Sequence, residues 1–230
     1  MRYLLAGWFV LLVVPLAGWY SSIQASPNGE SSKTPAQILA DVKAAVAKAK
    51  DCHVFGSGTS GGTKLTLDLH LRRGKGGSGR ISTGGLGFKI VRIGGKAYFQ
   101  GDKAFLTHYA GSVAAQLFLG KWFEASATKG DFATFTPLTS LVKLTDGILS
   151  GHGKLAVGPT TTIHGQPAIA LIDTTKGGTL YIAATGPPYP LELVPGKGNT
   201  GSITFQSWNK KISLAAPKHS INYAKLVAGK

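Results

Sequence analysis

The chain predicts an α+β domain in which helices cover one face of a curved antiparallel sheet. Three observations carry that expectation. Leu65, Leu67, Leu69 and Leu71 alternate with Thr66, Asp68, His70 and Arg72, which gives one strand a leucine face and a polar face. Thr34-Pro35-Ala36-Gln37 is a helix start: a hydroxyl cap, a proline where its missing N–H costs nothing, and a glutamine that completes a capping box. From residue 155 onwards, short apolar blocks alternate with glycine and proline turns, the pattern of a β meander.

Taken in order, the first helix covers residues 35–50, with Ile38, Leu39, Val42, Ala45, Val46 and Ala49 on one stripe. Period two takes over at Cys52 and is clearest over 64–73. Residues 74–79 read as a glycine-rich turn and 80–83 as the start of the return strand. Residues 88–93 and 96–100 flank Gly94-Gly95, a hairpin with a two-residue turn. Asp102 caps a second helix over 103–118, which Gly111-Ser112 can interrupt. Residues 122–125 form a short strand, and the second half of 132–150 is helical. Further strands are expected at 155–163, 167–173, 179–184, 190–194, 202–208 and 212–214.

Arg2 precedes an uncharged apolar run over residues 3–19. Such a run is an export signal, or a membrane anchor if it stays uncut. As a helix, residues 3–20 extend about 27 Å at 1.5 Å per residue, close to a hydrocarbon core of about 30 Å. Pro15 and the small residues Ala25 and Ser26 argue instead for cleavage. The reading is therefore a signal peptide or N-terminal membrane anchor over 1–25, a polar linker over 26–33 and a single domain over 34–230. An extracytoplasmic location in the cell envelope follows, which weighs against functions that need ATP, NAD or chromosomal DNA.

The net charge is +15, from 25 Lys and Arg against 10 Asp and Glu. Outside the cytoplasm the available polyanions are anionic lipid headgroups and acidic wall polymers. The basic residues are scattered and follow no nucleic-acid motif, so no nucleic-acid partner is expected. A lone cysteine, Cys52, excludes an intramolecular disulfide and reads as a small buried apolar residue.

Catalytic patterns are sparse. Gly58-Thr59-Ser60-Gly61-Gly62 matches G-x-S-x-G, but it lies between two strand patterns, whereas a hydrolase elbow needs a strand-to-helix turn. None of the six histidines stands at metal spacing from a His, Cys or carboxylate, apart from the adjacent Cys52-His53, which point to opposite faces of a strand. Gly74-Lys75-Gly76-Gly77-Ser78-Gly79-Arg80 lacks the ending of a P-loop and reads as a flexible basic hairpin tip. No enzyme, metal or cofactor is expected.

Several segments carry a resemblance. They are Val91-Arg92-Ile93-Gly94-Gly95-Lys96-Ala97-Tyr98-Phe99 with Gly101-Asp102-Lys103-Ala104-Phe105, then Ile163-His164-Gly165-Gln166-Pro167-Ala168, Thr179-Leu180-Tyr181-Ile182-Ala183 and Pro188-Tyr189-Pro190-Leu191. Ile203-Thr204-Phe205-Gln206-Ser207-Trp208-Asn209 precedes Ala216-Pro217. In this order the run, over roughly residues 34–225, resembles bacterial envelope lipoproteins of the LppX/LprG kind, within the superfamily of the LolA lipoprotein carrier. The resemblance implies an open antiparallel half-barrel closed on its concave face by helices, with an apolar cavity for acyl chains. It departs from the family at Trp19, where a lipidated cysteine is usual.

The expected function is an exported, non-enzymatic carrier or sensor of a lipid or other amphiphile. The candidates for lining the cavity are Leu65, Leu67, Leu69, Leu71, Phe88 and Ile90 from the sheet, with Phe105, Leu106, Tyr109, Leu117, Phe118, Leu138, Leu141 and Val142 from the helices. Lys75 and Arg80 are the candidates for contact with headgroups, and an anionic membrane surface is the expected partner. The same side chains can instead pack solidly. The alternative is then an envelope module of the same fold that binds proteins without lipid cargo. A hydrolase using Ser60 with a distant histidine is the third reading.

Overall fold

Two antiparallel meanders join into one sheet. The first contains β1 (Asp51–Ser60), β2 (Thr63–Arg72), β3 (Gly76–Thr83), β4 (Leu86–Ile93), β5 (Lys96–Gly101) and β6 (Phe123–Ser126). The second contains β7 (Leu155–Ile163), β8 (Gln166–Asp173), β9 (Gly178–Ala183), β10 (Pro190–Pro195) and β11 (Thr200–Gln206). β1 pairs with β11, and the two-residue β12 (Ile221–Asn222) adds in parallel to β6. The result is an open, curved half-barrel with strand order β12-β6-β5-β4-β3-β2-β1-β11-β10-β9-β8-β7. The computed structural model describes residues 26–129 and 131–228. The leader reading falls on residues 1–25 and lies outside them. Among the described residues no helix is long and apolar enough to cross a membrane.

Register begins at a turn. Gly61 and Gly62 close the β1–β2 hairpin with φ of 56° and 78°, left-handed values that glycine adopts without a Cβ penalty. That turn places Val54 opposite Leu69, Cys52 opposite Leu71 and His53 opposite His70. Leu67, Leu69 and Leu71 are buried on the inner face, and the polar residues between them face outward.

Helices cover this inner face. In α1 (Pro35–Lys48) both arms of the capping box form: the Gln37 N–H donates to Thr34 Oγ1, and the Thr34 N–H donates to Gln37 Oε1. Ile38, Val42 and Val46 of α1 share one buried cluster with Leu141, Leu144 and Leu149 of α3 (Leu141–Ser150) and with Val54, Leu69, Leu71, Ile90 and Phe205 of the sheet. A 3₁₀ segment, Asp131–Thr139, leads into α3. Arg92 fastens its end to the sheet. The Nε of Arg92 donates to Thr139 Oγ1 and its Nη2 donates to Thr139 O, both at 2.8 Å. Thr139 is fully buried, and burial lowers the pKa of the Arg92 guanidinium.

Two expectations need amendment. Residues 76–79 are strand, not turn. A Cβ on Gly77 would come 2.6 Å from Leu71 Cδ2, so the glycines let a leucine-rich neighbour pack close. Residues 212–214 form no strand. They pass the end of β1 and β2, where Arg72 Nη1 donates to Ile212 O at 3.0 Å. Pro27 and Asn28 join the second meander, where the Asn28 side chain donates to Ala183 O and Gly186 O, and Glu30 is buried beside Lys33. β12 and α4 (Tyr223–Ala228), at the end of the chain, carry too short a pattern for periodicity to reveal.

The second helix, α2 (Lys103–Phe118), has the bounds and the Asp102 cap that its sequence predicts, and Gly111 breaks it with φ of 84°. Its first turn seats Phe105 and Leu106 over Gly101. Tyr109 before the break, Val113 and Leu117 beyond it and Leu119 just past the helix are exposed, whereas Ala115 is buried and Phe118 packs against Phe123.

The Arg92 clamp gives a stability prediction. Hydrogen bonds from charged groups contribute roughly 1.5–3 kcal/mol, so Arg92→Met should lower the unfolding free energy by about 2 kcal/mol in urea titration with an unchanged m-value. A change below about 0.5 kcal/mol, the usual range of surface substitutions, would contradict the clamp.

Candidate functional site

The helical cover is incomplete over the second meander. Between α3 and strands β7–β10 lies a hollow of about 250 Å³, lined by Leu39, Ile148, Leu149, Leu155, Leu171, Leu180 and Leu193. A second hollow of about 110 Å³ lies over β1, β2, β10 and β11, lined by Leu65, Leu67, Leu193 and Ile203. The two share Leu193 and Pro195 and so form one apolar trough. Strand alternation explains its walls: Leu171, Leu180, Leu193 and Ile203 lie in register across β8, β9, β10 and β11. Gly56 and Gly58 explain its bare floor. A Cβ at either would come 2.1 Å from a β11 carbonyl oxygen, Ser202 O or Thr200 O. No side chain is accommodated there, and the space above β1 stays open.

One edge of the trough is polar. Asp173 is buried and accepts three backbone N–H groups, from Gly153 at 2.6 Å, Lys176 at 2.8 Å and Thr175 at 2.9 Å. The Gly153 and Lys176 bonds above all hold its carboxyl below the usual carboxylate range. Lys176, which is exposed, donates from Nζ to Gly151 O at 2.8 Å. Together the two residues pin the connection after α3 to the β8–β9 turn.

The sequence candidates divide between core, trough and surface. Leu65 and Leu67 line the trough. Leu69, Leu71, Ile90 and Leu141 are fully buried in the core, where nothing is open to a ligand. Phe88 packs against Phe105 and Phe135, Phe118 packs against Phe123, and Leu106 is buried. Leu138 packs on the core and Val142 is half-buried. Tyr109 and Leu117, expected to face a cavity, are exposed because α2 packs chiefly on β4 and β5, away from α1 and α3, and breaks at Gly111. Lys75 sits in the β2–β3 turn, at the opposite end of β2 from Leu65 and Leu67. Arg80 lies within β3 and pairs with Asp102 at 3.7 Å. Neither borders the trough.

Leu180, Leu193 and Ile203 were legible only as strand residues. Period two identifies the face they share, but not that hollows would remain against it. The catalytic patterns resolve as geometry. Gly58 and Ser60 belong to β1, and Gly61-Gly62 leads into a strand, not a helix, so no nucleophile elbow forms. Cys52 is fully buried, and burial pushes its thiol pKa up, which keeps it protonated. On the outer face, however, His53, Asp68 and His70 converge, with their ligating atoms within 4.8 Å of one another. Asp68 and His70 are two residues apart, so period two places both side chains on one face, a ligand spacing that the sequence expectation of no metal did not include.

The lowered pKa of Asp173 sets a pH dependence. A depressed carboxyl contributes stability above its unfolded pKa, and this is lost as pH falls through the lower native value. Asp173→Ala should lower the melting temperature by several degrees at pH 7. The gap to the unmodified protein should close on acidification, and only after the ordinary carboxylates have titrated. A gap that is the same at pH 7 and pH 2 would contradict this.

No protein-family model matches the chain, and no curated protein does. Solved structures do. LprF from Mycobacterium bovis matches with a TM-score of 0.54 at 13% identity, over 84% of this chain and 99% of LprF. The Mycobacterium tuberculosis lipoprotein LppX matches with a TM-score of 0.48 at 14% identity, over 78% of this chain and 99% of LppX. Likeness at such identities is likeness of fold. The chain thus has the fold of LprF: a curved antiparallel half-barrel with helices over its concave face.

Proposed function

We propose that the chain is an extracytoplasmic, non-enzymatic carrier or sensor that holds an acyl chain of an amphiphile in the trough between α3 and the second meander. The observation that carries this reading is the run of apolar walls, Leu171, Leu180, Leu193 and Ile203, facing open volume inside a half-barrel. Each buried methylene contributes about 0.8 kcal/mol, so eight of them supply about 6 kcal/mol without a polar partner. Ordinary ligand sites occupy roughly 300–1,000 Å³, so the trough as it stands suits a short acyl segment. A longer chain needs α3 to move aside. That helix packs on α1 and the 3₁₀ segment, and it is held at its end by the Asp173 and Lys176 contacts. Lys176 stands where an anionic headgroup would emerge. A net charge of +15 favours an anionic membrane as the place of loading.

One observation favours a second reading, an envelope module that binds protein. Val113 and Leu117 stand one turn apart on α2 beyond the break at Gly111, and they and Tyr109 before it are all exposed apolar side chains.

Uptake of a fluorescent fatty acid by the delipidated full chain separates the two. The carrier reading predicts saturable uptake. It also predicts that Leu180→Trp, which fills the trough, reduces uptake at least tenfold with an unchanged circular dichroism spectrum. Tyr109→Ala should leave uptake unaltered. Absence of uptake by the unmodified protein would contradict the carrier reading and leave the interaction module.

A further inference from the structure

The outer face of the β1–β2 hairpin carries a cluster that the trough does not use. His53 stands eight residues before Gly61, and His70 stands eight residues after Gly62. The two-glycine turn therefore sets the imidazoles directly opposite each other, with ring centroids 4.1 Å apart. Asp68 is two residues from His70 on the same face. Its Oδ1 lies 2.7 Å from His53 Nε2 and 3.8 Å from His70 Nδ1. Opposite Asp68 on β3, Arg80 turns to Asp102 instead. Phe55 stacks on the His53 ring, centroids 4.8 Å apart, and restricts its rotation.

From this geometry we propose that His53, His70 and Asp68 form a binding site for a divalent transition-metal ion of the zinc class. Two imidazoles and one carboxylate suit zinc, nickel and copper, whereas calcium and magnesium take oxygen ligands. Bonds of about 2.0–2.1 Å in a tetrahedron put ligand atoms about 3.3 Å apart. The two measured separations bracket that value, and with all three ligating atoms within 4.8 Å of one another, rotation of the half-exposed side chains brings them onto one metal. The ligands come from two adjacent strands in mid-sheet, so the backbone is already rigid.

An outer partner for His53 is present. His53 Nδ1 lies 3.1 Å from the Gln206 side-chain amide. With Nε2 given to the metal, Nδ1 carries the proton and donates to Gln206 Oε1, which requires the amide in its flipped orientation. The Asp68 side chain is 62% exposed and the His70 side chain 47%, so the ion keeps access to solvent and one or more open coordination positions. Such a site binds more weakly than a buried structural one.

Calorimetric titration of ZnCl₂ into the chelator-stripped full chain tests the proposal. One equivalent should bind with a dissociation constant in the micromolar range, and His70→Ala, His53→Ala and Asp68→Asn should each weaken it at least tenfold. His164 lies 3.3 Å from Glu192 and serves as the control histidine, so His164→Ala should leave the affinity unchanged. Co²⁺ in place of Zn²⁺ should give visible absorption bands that disappear in His70→Ala. His70→Gln replaces that variant if the alanine form does not fold. No binding at 100 μM Zn²⁺, or a loss in the site variants no larger than in His164→Ala, would overturn the proposal.

Discussion

The inner face of the β1–β2 hairpin is the constraint on which the rest depends. Four alternate leucines form a continuous apolar surface that water disfavours by about 25 cal/mol per Å². The chain must fold something over it, and α1, α3 and the 3₁₀ segment do so. Covering is thorough over β3 to β5 and over the ends of β1 and β2 near Cys52 and Leu71, where Leu69, Leu71 and Ile90 are sealed. It lapses over β8 to β11, where the remaining helix surface is too small for the sheet. The trough is what is left of the concave face after three short helical pieces have packed on it.

A single turn links both faces of this hairpin. With Gly61 and Gly62 at the tip, Leu69 meets Val54 inside, while His70 meets His53 outside. A slip of one residue would expose the leucines and bury the histidines. Selection for the core register therefore holds the outer cluster in place at no further cost. The same principle acts at Gly56 and Gly58. Close approach of β11 excludes side chains there, and the exclusion keeps the trough floor clear.

Much of this was legible in the sequence. The leucine alternation, the Thr34–Gln37 cap, the Asp102 cap and most strand bounds are local features, and the structure retains them. The helix break at Gly111 was legible too. What escaped depends on distance in space. Tyr109 and Leu117 carry a core-like pattern, but whether a helix face finds a neighbour is settled by how many strands lie beneath it. Residues 76–79 read as a turn because glycine is ambiguous. Only the bulk of Leu71 across the ladder shows why a strand needs glycine there. Leu180, Leu193 and Ile203 look like any strand residues until the hollows beside them are seen. The histidine cluster was within reach, because equal counts on either side of Gly61-Gly62 place His53 against His70.

Native and denaturing mass spectrometry of the same preparation test the central claim most directly, since any trimming of the chain affects both measurements equally. The account predicts a native mass that exceeds the denatured mass by an amphiphile, removable with organic solvent and restored by incubation with lipid vesicles. Identical masses before and after such incubation would show that the concave face holds no cargo, and would contradict the account.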